Sequence, residues 1–170
     1  VLADCSARCY FVAAGAREIT LLGQNVNSYV CPQSGARLPD LMAAVDGVDG
    51  LWRQRFLTSH PRNASPELFA AMRDLPTACE QLHLPVQAGD DELLRRMRRM
   101  YTVDAYCDLI AEARAAVSGV AVSTDIIVGF CGETEAEFAG TERLLRELRF
   151  DVVHLQAYSV RPGTAAALRE

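Results

Sequence analysis

The stretch Val120-Ala-Val-Ser-Thr-Asp-Ile-Ile-Val-Gly-Phe-Cys-Gly-Glu133 decides how the rest of the chain is interpreted. Its nearly continuous run of Val and Ile predicts a strand covered on both faces, which is typical of a parallel sheet. Asp125 interrupts that run, and a carboxylate inside a buried strand needs a hydrogen-bond donor or a ligand. Gly129 predicts a turn, and Thr134 with Glu137 has the spacing of a capping box that starts a helix. The unit is therefore strand, glycine turn, helix.

The composition is that of about one domain with an acidic balance. Of the 170 residues, 50% are hydrophobic, which is enough for a packed core. The formal charge is -5 and all 17 basic residues are Arg, so any contact with RNA would need a local patch or another domain. No apolar run approaches the roughly 20 residues of a membrane span, and Asp4 and Arg8 interrupt any amino-terminal signal segment. We therefore expect a cytoplasmic protein that does not enter a membrane.

The six cysteines are even in number but scattered through predicted helices and strands: Cys5, Cys9, Cys31, Cys79, Cys107 and Cys131. That scatter predicts reduced thiols in a cytosolic protein rather than disulfides. Cys5 and Cys9 recur with Leu2 and Val12 at three- and four-residue intervals, which predicts one apolar face of a helix ending near Gly15. The alternative is an incomplete iron-sulfur loop of the form Cys-x3-Cys-x2-Cys, but such a loop needs three thiolates and only two are present.

Strands recur about every 30 residues, with helices between them. The predicted strands span residues 18–22, 52–59, 80–86, a segment that begins at 120, and 151–157. The predicted helices include one within 35–50, one capped by Ser65, one capped by Thr102, and one that buries Phe138, Thr141, Leu145 and Leu148. This alternation predicts a one-domain α/β fold of parallel strands with helices outside. A complete eight-fold barrel needs about 250 residues, so an incomplete (β/α) barrel and a doubly wound sheet both remain open.

Small and polar residues follow each predicted strand at the point where it ends. They are Gly23, Gln24 and Asn25; Thr58, Ser59 and His60; Gln87, Ala88 and Gly89; Asp125 and Gly129; and Tyr158, Ser159 and Arg161. Because the carboxyl ends of parallel strands share one edge of the sheet, these residues are predicted to lie on the rim that carries active sites in such folds. Any one of them is also explained as a turn former, but the repetition over five strands favours a functional rim.

The histidines and the arginine cluster do not show the spacing of a ligand site. None of His60, His83 and His154 forms a His-x3-His pair, so the sequence predicts no metal site. An Arg-rich helix follows residue 89, with Arg95, Arg96, Arg98 and Arg99 opposite Leu93, Leu94 and Met97. We expect a solvated helix face there, with a phosphate-binding surface as the alternative.

Six segments, taken in order along nearly the whole chain, carry a family resemblance. They are Glu18-Ile-Thr-Leu-Leu-Gly-Gln-Asn-Val-Asn-Ser-Tyr29, Arg55-Phe-Leu-Thr-Ser-His-Pro-Arg62, Leu82-His-Leu-Pro-Val-Gln87, Met97-Arg-Arg99 with Tyr101-Thr102, Asp125-Ile-Ile-Val-Gly-Phe130 with Gly132-Glu-Thr134, and Tyr158-Ser159 with Arg161-Pro-Gly-Thr164. These segments resemble the radical S-adenosylmethionine (SAM) methylthiotransferases. The run Gly-Gln-Asn-Val-Asn-Ser-Tyr is most similar to the MiaB-type branch, which modifies tRNA.

The resemblance implies 2-methylthiolation of an isopentenylated adenosine next to the tRNA anticodon. In this family a reduced 4Fe-4S cluster cleaves SAM, and the resulting 5'-deoxyadenosyl radical activates C2 of the base. The resemblance also implies an electron donor, an auxiliary cluster in an amino-terminal domain, and a carboxyl-terminal β-barrel domain that helps to hold the tRNA.

By position in the matching motifs, the resemblance assigns candidate site residues, none of them catalytic. Gly23, Gln24 and Asn25 correspond to residues at the methionine end of SAM, Gln87 to one near its ribose, and Asp125, Ile127 and Gly129 to residues on its adenosine side. The candidates for the RNA side are Asn27, Arg99 and Arg161.

The chain also departs from the family pattern. Cys9 lies only nine residues before Glu18, whereas the family's cluster loop lies further upstream with a full helix between. We therefore expect residues 1–170 to form a partial radical SAM domain, truncated at both ends. The cluster ligands, the amino-terminal domain and the carboxyl-terminal β-barrel are expected to lie outside this chain, which should be inactive alone.

Two other interpretations remain. The chain could belong to a non-catalytic, RNA-binding or partner-binding remnant of the same barrel, which an upstream Cys-x3-Cys-x2-Cys loop would exclude. It could also be a lyase or aldolase that shares only the fold. That class of enzyme needs either a Lys for Schiff-base chemistry or a metal-binding site, and the chain has no Lys.

Overall fold

The computed structural model describes residues 11–160 and Gly163 and shows five strands and five α-helices in alternation. The strands are β1 (Glu18–Leu21), β2 (Arg53–Phe56), β3 (Gln81–His83), β4 (Ala121–Val128) and β5 (Val152–Ala157). The helices are α1 (Leu38–Asp46), α2 (Pro66–Asp74), α3 (Asp91–Arg96), α4 (Val103–Ala116) and α5 (Glu135–Leu148), with short 3-10 helices at Val26–Ser28 and Pro61–Asn63. The predicted helix face with Cys5 and Cys9 lies outside the described residues, although residues 11–13 are helical as expected.

All five strands run parallel, and each of the two sheets that they form, one of two strands and one of three, keeps the chain order. β1 pairs with β2, and β3 pairs with β4, which pairs with β5. An isolated parallel bridge between Gln54 and Ala78 joins β2 to the segment that leads into β3. A doubly wound sheet reverses its strand order at one point, and this sheet does not. The structure therefore confirms the incomplete (β/α) barrel, which is not closed in this chain.

One face of the sheet carries the main hydrophobic core. Leu82 of β3 and both Val122 and Ile126 of β4 are completely buried against the helices, as are Tyr106 and Ile110 of α4. Each such large apolar side chain contributes about 1.5–3 kcal/mol by leaving water. Burial of this one face is the main force that holds the helices against the outside of the sheet.

The other face of the sheet carries most of the polar side chains. Along β4, Ser123 and Asp125 alternate with the core residues and face away from the helices. Ser123 is buried and Asp125 is partly buried, so β4 is covered on both sides as predicted. On β1 and β2 this face carries ion pairs from Glu18 to both Arg53 and Arg55.

The predicted helix starts are confirmed by their caps. Ser65 Oγ accepts a hydrogen bond from the Leu68 N–H at 3.4 Å, and Thr102 Oγ1 accepts one from the Ala105 N–H at 3.2 Å. At α5 the capping box is complete, because the Thr134 N–H also donates to the Glu137 carboxylate at 2.8 Å. Each such cap satisfies backbone donors that the first turn of a helix leaves unpaired.

Two strand lengths and one residue of a helix face were predicted wrongly. β2 and β3 are shorter than predicted, since regular pairing ends at Phe56 and His83, although Gln87 still forms an isolated parallel bridge with Ile126. Along α5, Leu148 is buried and Leu145 packs against the core as predicted, whereas Phe138 is exposed and Leu144 is buried instead. Thr141 is buried as predicted, and it faces the loop that follows β3. That contact sets the rotation of the helix.

The loop after β3 packs directly on the backbone of α5. The Gly89 N–H donates to Thr141 Oγ1 at 2.9 Å, and both Gly89 and Gly140 lie so close together that neither has room for a side chain. A Cβ on Gly140 would lie 2.8 Å from the Gly89 carbonyl oxygen. This contact fixes the loop that carries Gln87 against the helix that follows β4.

We predict that Gly89→Ala destabilises the protein, because its Cβ would lie 2.5 Å from the Thr141 Cα atom. Only a backbone shift relieves that overlap, so the free energy of unfolding should fall by about 2 kcal/mol or more in urea denaturation. Gly47→Ala is the matched control, since its φ is -69° and the nearest atom to its Cβ would be 3.9 Å away. That control should change stability by no more than about 1 kcal/mol. Equal losses in both variants would contradict the close approach.

No helix among the described residues is long and apolar enough to cross a membrane. The four described cysteines, Cys31, Cys79, Cys107 and Cys131, form no disulfide with one another.

Candidate functional site

The loops that follow β1 and β2 are joined to each other at the rim. The Val26 N–H donates to the Thr58 carbonyl oxygen at 3.1 Å, and Thr58 Oγ1 donates to the Gly23 carbonyl oxygen. Asn27 is buried and bonds the His60 backbone twice, through Nδ2 to its carbonyl oxygen at 3.0 Å and through Oδ1 from its N–H at 2.9 Å. The predicted candidates Gly23, Gln24 and Asn25 therefore lie on a loop that its neighbour holds in place.

Two side-chain atoms on these loops are buried without a hydrogen-bond partner. Asn25 Nδ2 donates to Asn63 Oδ1 at 2.9 Å, which leaves Asn25 Oδ1 unpaired. The Ser59 hydroxyl is unpaired as well. Buried polar groups in native proteins are almost always satisfied, so unpaired ones at a rim fit a ligand that carries hydrogen-bond donors. An ammonium group, such as that of an amino acid, has this chemistry.

The end of β3 is held by β4 in a strained backbone conformation. Gln87 is buried and has φ of 78°, a left-handed value that is costly for a residue with a side chain. Its N–H donates to the Asp125 carbonyl oxygen at 2.9 Å, and its own carbonyl oxygen accepts from the Ile127 N–H at 3.0 Å. Thr58, on the rim after β2, also has a positive φ of 61°. Such strain is typical of positions that present a group to a ligand.

Two tyrosines that the sequence analysis did not single out support this segment from the core side. Tyr106 donates its hydroxyl to the Leu84 carbonyl oxygen at 2.6 Å, and Tyr101 donates to that of Val86 at 3.0 Å. Burial raises the pKa of Tyr101 to about 12, so both groups stay protonated donors at neutral pH. Tyr106 has the spacing of a core residue of the predicted helix capped by Thr102, and Tyr101 precedes that cap, but nothing in the sequence distinguished the hydroxyl contacts of either.

The turn after β4 is organised around one carboxylate. Glu133 accepts hydrogen bonds from the N–H groups of Gly129 and Phe130, and its own N–H donates to the Phe130 carbonyl oxygen at 2.7 Å. Gly129 has φ of 71°, which confirms the predicted glycine turn. The Phe130 ring packs edge-on against Tyr158 with centroids 4.9 Å apart, which ties this turn to the end of β5.

Arg96 is not on a solvated face, which corrects the expectation for the arginine cluster. Its guanidinium forms an ion pair with Glu137 at 2.6 Å, and both side chains are about 15% exposed. It also donates to the carbonyl oxygens of Cys131 at 3.1 Å and Gly132 at 2.8 Å. The residue therefore joins α3, the turn after β4 and the start of α5. Arg95, in contrast, is exposed and pairs with the neighbouring Glu92.

We predict that Glu137→Gln lowers the free energy of unfolding by about 1–3 kcal/mol at pH 7, because it removes the charge that faces Arg96. The matched control is Glu142→Gln, whose ion pair with Arg146 is exposed and should change stability by no more than about 0.5 kcal/mol. Urea denaturation of the three proteins measures both differences.

The same pair predicts a pH dependence. The Thr134 N–H, with the Thr134 hydroxyl and Arg96, holds the pKa of Glu137 below its ordinary value. The stabilisation by the carboxylate is therefore complete above the unfolded pKa of about 4.3 and is lost as the pH falls through the lower folded value. The advantage of the wild type over Glu137→Gln should shrink below about pH 4. A constant difference from pH 7 to pH 3 would contradict this assignment.

The polar face of β3, β4 and β5 forms the wall of a cleft of about 280 Å³. His83, Asp125 and His154 line it together with Thr58 from the rim after β2. His83 Nε2 lies 3.4 Å from Asp125 Oδ2. The predicted need of Asp125 for a partner is thereby met by a side chain from the neighbouring strand.

The residues predicted for the RNA side have different surroundings. Asn27 uses both ends of its amide to hold the His60 backbone, so the structure gives it a contact between loops. Arg99 lies just after α3, its Nε is buried without a hydrogen-bond partner, and its charge helps to lower the pKa of His60 after the larger effect of burial. Arg161 lies outside the described residues.

Comparison with solved structures identifies the fold class. The chain is similar to coproporphyrinogen III oxidase from Escherichia coli, a radical SAM enzyme, with a TM-score of 0.68 and 19% identity over 97% of this chain and 38% of that one. It is also similar to methylornithine synthase, with a TM-score of 0.64 and 18% identity over 96% of this chain and 46% of that one. At these low identities the likeness defines the fold alone, an incomplete barrel of the radical SAM type.

The family follows from the sequence match. The model of the Radical SAM superfamily matches residues 6–145, which is most of the chain. The chain therefore belongs to the Radical SAM superfamily, whose cofactors are SAM and a 4Fe-4S cluster.

Curated relatives of much higher identity are named tRNA-2-methylthio-N(6)-dimethylallyladenosine synthase. The relative from Roseiflexus sp. (strain RS-1) is 54% identical over 92% of this chain and 33% of its own length. The relative from Geobacter metallireducens is 50% identical over 92% of this chain and 36% of its own length, and that from Frankia alni is 48% identical over 98% and 33%. The chain thus spans about a third of the length of the curated relatives it matches.

The described residues fit the two cofactors unequally. The unpaired Asn25 Oδ1 and Ser59 hydroxyl fit a ligand with an ammonium group, which SAM has at its methionine end. A 4Fe-4S cluster needs thiolates held together, and within residues 11–160 no three cysteines approach one another. We therefore assign no cluster to the described cysteines.

Proposed function

We propose that the chain is the central part of the radical SAM domain of a tRNA methylthiotransferase, which adds a methylthio group at C2 of an isopentenylated adenosine next to the anticodon. The observation that carries the proposal is the identity of 54% and 50%, over 157 residues, to two enzymes whose names state this product in tRNA. The two solved structures with the same fold, coproporphyrinogen III oxidase and methylornithine synthase, have sequence identities of only 19% and 18% with this chain. The activity is that of the whole enzyme, and this part alone is proposed to be inactive.

SAM is proposed to bind along the rim. Gly23, Gln24 and Asn25 would hold its methionine end, where Asn25 Oδ1 is the unpaired acceptor. The strained Gln87 would meet the ribose, while Asp125, Ile127 and Gly129 close the adenosine side. Asp125 supports this rim through its backbone, since its carbonyl oxygen accepts the Gln87 N–H. When bound, SAM supplies the 5'-deoxyadenosyl radical that activates the base.

The remaining partners belong to the whole enzyme. The cluster ligands are proposed to lie outside the described residues, and an electron donor is needed to reduce the cluster. Arg99 and Arg161 would contact tRNA phosphates, whereas Asn27 would act by holding its loop in place. A cytoplasmic location fits a tRNA substrate.

The proposal is tested with a chimera in which residues 1–170 replace the homologous third of the Roseiflexus relative. We expect a strain that lacks its own enzyme, but makes isopentenylated tRNA, to regain 2-methylthio-N(6)-isopentenyladenosine in hydrolysed tRNA by mass spectrometry. A chimera that folds by circular dichroism and holds its full iron content, yet leaves the adenosine unmodified, would overturn the proposal in favour of a non-catalytic remnant.

Within that chimera, Asn25→Ala should weaken SAM binding about five- to tenfold, because it removes an acceptor worth about 1 kcal/mol or slightly more. Equilibrium dialysis with labelled SAM measures the dissociation constant directly. The control is Asn63→Ala, which removes the same amide-to-amide bond but leaves the Asn25 side chain in place. Equal losses of affinity in both variants would show that Asn25 only orders its loop.

A further inference from the structure

Three strands bring together a group of ligand-type side chains, of which only Asp125 has a place in the proposed SAM rim. In the parallel register, Asp125 of β4 is paired with His154 of β5, and His83 of β3 is paired with Ser123, two residues before Asp125. Residues paired in this way, or separated by two along a strand, point to the same face of a sheet. Backbone pairing therefore places His83, Asp125 and His154 on the cleft wall.

The spacing of their ligand atoms is close to that of a metal site. One nitrogen or oxygen atom from each residue lies within 4.8 Å of the others, and His83 Nε2 is 3.4 Å from Asp125 Oδ2. Two ligands at about 2.0–2.1 Å from a tetrahedral ion are roughly 3.3 Å apart. The ligand atom of the more exposed His154 lies within 4.8 Å of the other two.

The orientation of His83 allows a cation between the two groups. Its Nδ1 lies 2.9 Å from the buried Ser123 hydroxyl, which can donate to it or accept from it. With the ring N–H on Nδ1, the lone pair of Nε2 faces the Asp125 carboxylate at 3.4 Å and is available to a cation, whereas with the N–H on Nε2 the ring donates to that carboxylate. An outer hydrogen bond of this kind is also what orients metal-binding histidines.

The surroundings leave part of the coordination sphere open. The side chain of His83 is 15% exposed and that of Asp125 is 32% exposed, and His154 is at the open side of the cleft of about 280 Å³. Three protein ligands with open positions are typical of reactive rather than structural sites. Two histidines and one carboxylate suit Zn²⁺ and Fe²⁺ better than Mg²⁺ or Ca²⁺.

We propose that His83, Asp125 and His154 bind one divalent ion of the Zn²⁺ or Fe²⁺ class on the cleft wall, with open positions for water or a small oxygen or nitrogen ligand. This ion would be bound in addition to SAM and the 4Fe-4S cluster, and the proposal stands whether or not the chain belongs to a tRNA-modifying enzyme. It also explains why a carboxylate lies between two imidazoles on three adjacent strands.

The test titrates the 170-residue chain with Zn²⁺ by calorimetry and with Co²⁺ by visible absorption. We expect one ion per chain and a Co²⁺ spectrum without thiolate charge-transfer bands, since all three ligands are nitrogen or oxygen. Asp125→Asn and His154→Gln should each weaken Zn²⁺ binding by about tenfold or more, because each removes a direct ligand. Zn²⁺ should also raise the melting temperature of the wild type but not of these variants.

Matched controls separate this site from other donors. Asp108→Asn changes an exposed carboxylate on α4, and His60→Gln changes the remaining histidine, which caps a 3-10 turn. Both should bind Zn²⁺ like the wild type, with circular dichroism checking the fold of every variant. Thiolate bands in the Co²⁺ spectrum, equal affinity in all variants, or no binding at millimolar Zn²⁺ would overturn the proposal and leave His83 and Asp125 as partners of each other alone.

Discussion

The parallel pairing of β4 with both of its neighbours is the constraint on which the rest of the structure depends. Its core face, with Val122 and Ile126, anchors the helices, while its backbone sets the register of β3 and β5. Beyond the end of β3 it still binds Gln87 through two backbone hydrogen bonds. One strand thus determines the core, the strained rim residue and the polar wall of the cleft. All three features follow from the alignment of β4 with its neighbours, because the hydrogen bonds between parallel strands are evenly spaced.

The rim is held by contacts that come from outside the sheet. The Gly89 loop lies against Gly140 at a distance that excludes side chains, and Arg96 ties the turn after β4 to the start of α5. Tyr101 and Tyr106 hold the segment after β3 from the core side. A strained backbone conformation such as that of Gln87 persists only where several surrounding contacts hold it in place. These contacts provide that support, and a SAM site along the rim would depend on them.

Local patterns predicted much of the fold, because caps and turns depend on near neighbours in the chain. Ser65, Thr102 and the Thr134 box begin helices as expected, and Gly129 adopts the left-handed conformation of its turn. The errors concern surroundings rather than local structure. Arg96 was expected in solvent but is paired with Glu137 on another helix, and α5 is rotated so that Leu144 rather than Phe138 is buried. Periodicity gives a helix its apolar side only approximately, and the packing partner decides the rest.

The sequence by itself determined the alternation of strands and helices, the positions of the rim loops and, through its motifs, membership of the Radical SAM superfamily. These follow from residues that are close together in the chain. Only the tertiary structure decided that the barrel is singly wound and that one face of β4 is polar. It alone brought His83, Asp125 and His154 together, although they show no ligand spacing in the sequence. The physical reason is that strand register, set by hydrogen bonds between distant segments, decides which side chains meet across a sheet.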